Sequence, residues 1–443
     1  MKYRSTWILL VITAAGFLYY FLVEQPRHRR RLEGIAGAAR LTDIAADSVT
    51  RLVIERPDVT VEFHRSGGSW RMTRPVSDEV DLSVLNVMLQ TVTNAIIETR
   101  IETSAARLSE YGLLAPGARV MLATEDDSLR VSIGDFNMTQ AACYVVRNDE
   151  EDVLLVAAGL RRYAHRTVFE YRDKKVAAFR VEDVTELALV SPSQRLDWWK
   201  TGAGSWQALA GGDTIRGERQ EIEGVLRALR AMRADSLMLS GPDGARHLFA
   251  RPAGTVALGG VGENGVTFVF AGDPETCWVT NGRRVARVDP AILGILSRTL
   301  HDLRDRRVVH FEAASLARVT LQAGNRTTSV VRPDGEWSFP NPGMGAIDQA
   351  AVREFLGVLE SLRFRDILSE EPPAPGAHGL DAPSFVLTLF DGQGEVIDRF
   401  AAGETESGRR VRFATSRSAP LLAIVDVEPL DDLRERFEGF RTQ

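Results

Sequence analysis

The chain has 443 residues, 44% hydrophobic and 26% charged, with 60 acidic residues against 54 basic ones and a formal net charge of −6. That composition belongs to a chain that folds and buries cores, and the length suits roughly three domains, so wholesale disorder and collagen are excluded. There is no global basic field for gripping nucleic acid, none of the lysines follows a glycine as a Walker-type loop requires, and the two cysteines supply neither a disulfide framework nor a cysteine zinc site.

Trp7 to Val23 (WILLVITAAGFLYYFLV) is a 17-residue run without a charge. As a helix it is about 26 Å long, enough for a thin bilayer core. Trp7 at one end and Tyr19 and Tyr20 near the other suit the interfacial belts. A cleaved signal peptide has a shorter apolar core and a small-residue cleavage site, whereas Glu24, Gln25, Pro26 and an arginine cluster follow here. The sequence therefore predicts an uncleaved transmembrane anchor over 1–23 and a basic stalk over 24–40. Lys2 and Arg4 before the helix nearly balance Arg27, Arg29, Arg30 and Arg31 after it, and taken alone that balance leans towards a cytoplasmic body. Residues 1–23 carry +2 and 24–40 carry +3, which leaves −11 for 41–443. An acidic body hangs from a short basic stalk.

The body repeats. Gly67-Gly68-Ser69-Trp70, Gly204-Ser205-Trp206 and Asp334-Gly335-Glu336-Trp337 place tryptophans 136 and 131 residues apart. Before each lies a pair of runs with the period-2 alternation of half-buried strands: TRLVIE with VTVEFHR, TELALV with QRLDWWK, ARVTLQ with TTSVVR. After each comes a helical pattern, in the first copy with Val84, Val87, Met88, Thr91 and Ala95 near i, i+3/i+4 spacing. Tyr111-Gly112-Leu113 returns as His378-Gly379-Leu380, and as His247-Leu248-Phe249 without the glycine. Further strands follow, and the first two copies close on Arg172-Asp173-Lys174-Lys175-Val176 and Arg304-Asp305-Arg306-Arg307-Val308. The expectation is an α+β body of three tandem modules, 41–175, 176–307 and 308–443, each a mostly antiparallel sheet of about seven strands with a packed helix. Trp70, Trp206, Trp337, Gly112, Gly379, Arg172, Asp173, Arg304 and Asp305 are its repeated structural positions.

The repeats also test each chemical motif. Gly260 to Gly265 fits G-x-G-x-x-G but leads into a strand, VTFVF, where the dinucleotide fingerprint opens a helix. His378 stands where the first copy has Tyr111, which favours packing over proton transfer, and His310 lies in a module junction. His301-Asp302 offers two metal ligands whose counterpart, His165-Arg166, lacks the acid. Carboxylate runs such as Glu370-Glu371 fall in predicted loops. Cys143 and Cys277 match in position and suit buried strands. No catalytic residue, cofactor or metal site is assigned. Of Trp198 and Trp199 one must face outward from an alternating strand, which makes the pair a candidate partner contact.

The anchor, the G-x-W strand, the following helix, the Tyr-Gly-Leu-x-x-Pro element and the Arg-Asp-Lys-Lys-Val junction together resemble the bacterial domain-of-unknown-function family 4340. The resemblance implies a single-pass protein of the bacterial inner membrane with a periplasmic body. It further implies a non-catalytic accessory role beside a gliding-motility-type ABC transporter, with a permease, an ATPase and an auxiliary subunit as partners. It carries no catalytic residues over. The alternatives are a stand-alone cell-envelope scaffold and, more remotely, an envelope hydrolase using loop carboxylates such as Glu370, Glu371 and Asp381.

Overall fold

A computed structural model describes residues 39–440, apart from 103–104, 211, 263–264, 334, 375–376 and 406–409. The predicted anchor with Trp7, Tyr19 and Tyr20, and nearly all of the stalk, lie outside the described residues. Among the described residues no helix is long and apolar enough to cross a membrane.

The body is α+β, with three antiparallel sheets that each bear helices. The first is built from β1 (Arg51–Glu55), β2 (Thr60–Ser66), β3 (Ser69–Arg74), β4 (Asp78–Glu79), β5 (Ile97–Ile101), β6 (Ala118–Ala123), β7 (Ser128–Phe136), β8 (Ala142–Arg147) and β9 (Val153–Ala157). Their spatial order is β4-β3-β2-β1-β6-β7-β8-β9-β5. A second nine-stranded sheet, running from Glu186 to Val288, repeats that order strand for strand. A third, from Arg318 to Asp426, has seven strands and repeats it without the first two. Its β3 counterpart shrinks to a single bridge between Val331 and Ser338, because Pro340 and Pro342 lack the N–H groups a ladder needs. The third sheet has the expected seven strands, and the first two exceed that count through short pieces such as β4 and through β5, which returns after the helix to pair with β9. Neither carries an alternating pattern long enough to read.

Each sheet has a helix at the same place in the order: Leu82–Thr93, Arg219–Ala231 and Gln349–Ser361. Asp81 and Asp348 cap the first and third by accepting hydrogen bonds from backbone N–H groups of the first turn. The first helix buries Leu85, Met88, Leu89 and Val92 against Leu52, Ile54, Val61, Phe63 and Met72 of the strands. Val87, predicted on that face, is instead exposed, since Leu85, Leu89 and Val92 make the more apolar stripe. Each such buried side chain contributes about 1.5–3 kcal/mol. In the third core Phe355 of the helix meets Phe437 and Phe440 edge-on, at 5.2 and 5.4 Å between ring centroids.

The Tyr-Gly-Leu element has a physical explanation. Gly112 and Gly379 adopt φ of +67° and +66°, and a Cβ on either would meet the strand opposite, Asp135 or Glu404. The strand answers with its own glycine: a Cβ on Gly134 would collide with the Tyr111 carbonyl, and one on Gly403 with that of His378. Tyr111 meets Tyr144 edge-on at 4.8 Å and His378 lies tilted against Phe413 at 4.1 Å, so tyrosine and histidine each pack on an aromatic ring at this position.

The chain divides into two compact units: Met1–Arg180 with Ala228–Val256 and Val266–Gly294, and Val181–Arg227 with Ala257–Gly265 and Ile295–Gln443. Each contains one of the two Arg-Asp junctions.

Candidate functional site

In the first unit the junction segment Arg172–Val176 is held by isolated backbone bridges on both sides. Asp173 N donates to Glu79 O at 3.0 Å, and Ala234 N to Lys174 O at 2.8 Å. Those pairs aim Arg172 inward, where it is 2% exposed. Its Nε donates to Asp78 Oδ2 at 2.5 Å and its Nη1 to the carbonyls of Leu237 and Met238 at 3.0 and 3.1 Å. Arg284 reaches the other oxygen of Asp78, and its Nη1 donates to the carbonyls of Asp173 and Lys175 at 2.8 and 2.9 Å. Burial pushes the Arg172 guanidinium down from its ordinary range, and the Asp78 hydrogen bond and charge oppose that shift.

The second unit repeats the frame and changes the contents. Asp305 N donates to Arg216 O at 2.8 Å and Phe364 N to Arg306 O at 2.7 Å, so Arg304 and Asp305 take the places of Arg172 and Asp173. Arg304 forks onto Glu370, with Nη2 3.1 Å from Oε2. Asp305, its side chain 1% exposed, accepts from Arg307 Nη2 at 2.7 Å and lies 2.8 Å from His310 Nε2. Burial pushes its carboxyl up, but the His310 and Arg307 hydrogen bonds prevail and hold it well below the usual carboxylate range. His310 Nδ1 is 2.9 Å from Ser418 Oγ, and the Ser418 hydroxyl donates to Asp398 Oδ2 at 2.5 Å. This relay borders a cavity of about 480 Å³ that Arg304 and Glu370 also line.

Asp305, His310 and Ser418 have the composition of a hydrolytic triad but not its working parts. A nucleophilic serine needs a hydroxyl its histidine can deprotonate, and free N–H donors for the oxyanion. Ser418 donates its hydroxyl to Asp398, and its backbone N–H also goes to Asp398, at 3.0 Å. The next donor along, Ala419 N–H, goes to Ser416 Oγ at 3.1 Å. The cluster is a brace that ties the junction to the turn before strand Leu422–Asp426.

Among the repeated positions, Trp206 and Trp337 are buried, and Trp70 is half-buried against the first core. Trp198 is buried and Trp199 half-buried, as alternation demands. His301 and Asp302 diverge: His301 Nε2 is 3.1 Å from Arg306, while Asp302 caps its own helix through Thr299. Gly260 to Gly265 stands between two strands and opens no helix. Cys143 and Cys277 are buried, and burial pushes both thiols up to about 11. Sequence reasoning missed Asp78, Arg284, Asp398 and Ser418. The available signal was Arg-Asp recurring before the first strands of the second and third copies, since an arginine there needs a buried acceptor.

Fold and junctions together define a protein of three like antiparallel sheets with two junctions, in each of which a buried arginine meets a carboxylate. The chain belongs to the DUF4340 family, a domain of unknown function, whose model matches residues 70–252 and 240–383. No curated protein matches. Among solved structures the Pseudomonas aeruginosa DnaN sliding clamp (DNA polymerase III subunit beta), bound to griselimycin, is similar at 9% identity over 90% of this chain and 95% of that one. With a TM-score of 0.14, that likeness carries no argument.

Proposed function

We propose that the chain is a non-catalytic accessory subunit, anchored by one N-terminal span in the bacterial inner membrane with its acidic body in the periplasm. It serves a gliding-motility-type ABC transporter and binds the permease and ATPase assembly, or the exported substrate, through its modules. The observation that carries this is the fate of the Asp305–His310–Ser418 cluster, in which side chains suited to catalysis are engaged in holding the fold. The 17-residue apolar run at Trp7–Val23 and membership of the family support the anchored reading. Three like modules on one chain also suit several weak contacts combined into avidity.

Deleting the gene and resolving the remaining transporter on native gels tests the proposal. Loss or shrinkage of the permease–ATPase complex, with reduced transport, is expected. An intact complex with undiminished transport contradicts it.

A further inference from the structure

The two junctions can be compared element by element. In the first unit Arg172 donates Nε to Asp78 and Nη1 to the main-chain carbonyls of Leu237 and Met238. In the second, both Nη atoms of Arg304 go to Glu370, and its Nε is buried with no hydrogen-bond partner among the described residues. The backbone register gives the reason. Glu79 and Arg216 each accept from the junction aspartate, which aligns Asp78 with Ile215. An aliphatic side chain thus stands where the first unit has its acceptor. Ile215 and Arg304 both line the 480 Å³ cavity, and the Arg304 side chain is 8% exposed. A donor so buried calls for an acceptor.

We infer that this cavity binds an uncharged segment of a partner polypeptide, one of whose main-chain carbonyls accepts from Arg304 Nε as Asp78 does from Arg172. The charges select the acceptor. Four carboxylates, those of Asp213, Asp305, Glu370 and Glu371, already line the cavity against Arg216 and Arg304, and Glu370 balances the Arg304 charge. A further carboxylate would be repelled and costly to desolvate, and a cation would bring donors alone. An amide carbonyl adds an acceptor without a charge, and Arg172 shows that a junction arginine takes main-chain carbonyls. A peptide also brings N–H donors for the exposed carboxylates of Asp213 and Glu371. Its small apolar side chains suit Ile215, Pro420 and Leu421 on the wall. The inference goes beyond the transporter reading, and its test contains no transporter component.

That test is ligand-observed saturation-transfer NMR of an acetylated, amidated Ala-Val-Ala peptide, titrated against the full-length protein in mild detergent. Ala-Asp-Ala and Ala-Arg-Ala, blocked in the same way, present a carboxylate and a cation instead. Saturable binding of Ala-Val-Ala is expected, with both charged peptides weaker. Ile215→Asn puts an amide carbonyl of the chain itself in the place of Asp78 and should weaken binding about tenfold, the scale of one hydrogen bond to a charged group. Thr214→Trp, at an exposed position that also lines the cavity, should weaken it by bulk and decides the matter if Ile215→Asn does not fold. No saturable binding of Ala-Val-Ala, equal or tighter binding of either charged peptide, or full affinity in a folded variant overturns the inference.

Discussion

Replacing Asp78 with alanine removes one carboxylate from two buried guanidinium groups, Arg172 at 2% and Arg284 at 9% exposure. Breaking a buried ion pair from one side costs about 3–5 kcal/mol, because the remaining charge stays desolvated. Here each arginine keeps two carbonyl acceptors, so the lower end applies, about 3 kcal/mol. The loss falls on the junction segment, which makes local opening the proper readout. In hydrogen exchange followed by mass spectrometry on the full-length protein, protection of peptides covering 171–176 should fall by about two decades, since 1.4 kcal/mol is one decade. Glu370→Gln at the second junction should lower protection of 303–308 by only about one decade or less, since Glu370 is 37% exposed. A loss of less than about threefold at 171–176 would refute the claim that Asp78 holds the junction. So would an equal loss at both junctions from Asp78→Ala alone.

Gly134→Ala should lower the unfolding temperature by several degrees, because its Cβ strikes the Tyr111 carbonyl and overpacking costs about 1–3 kcal/mol. Gly357→Ala should raise it slightly, because alanine contributes about 0.5–1 kcal/mol of helix propensity and a Cβ there meets nothing within 4 Å; the reverse ordering of the two variants in a thermal melt contradicts the packing argument. Asp305 has a folded-state pKa below its unfolded value, so its stabilisation is complete above about pH 5 and fades as pH falls through the carboxylate range. The melting gap between wild type and Asp305→Asn should accordingly be widest near pH 7 and shrink below about pH 4; a gap independent of pH contradicts it. Cys143 and Cys277, with thiols near 11, are only about 0.1% thiolate at pH 8. Iodoacetamide should spare both in the native protein and modify both in urea, and rapid native labelling of either would show it to be accessible.

Much of the fold was legible because alternation and the glycine–tryptophan turns recur three times, so each copy corroborates the others. TRLVIE and VTVEFHR read as strands because every second side chain meets the core. The alternation of Trp198 and Trp199 likewise survived, with Trp198 turned in. The helix face was misjudged at Val87, where spacing alone could not choose between overlapping apolar stripes. The site was far less legible. Arg172 and Arg304 stood out as repeated, but their acceptors do not recur: Asp78 precedes its arginine by 94 residues and Glu370 follows its own by 66. Ser418 reaches His310 across 108 residues from a turn with no pattern. Contacts of that range depend on the strand order, and β5 crossing to the far edge of the sheet is the step that local periodicity does not encode.

The central claim is that this chain is an assembly subunit. It is met most directly by affinity purification of the full-length protein from native membranes in mild detergent, with mass spectrometry of what accompanies it. The account predicts an ABC permease and its ATPase at near-equal stoichiometry. Recovery of the chain alone, or with cell-wall material in their place, would contradict it.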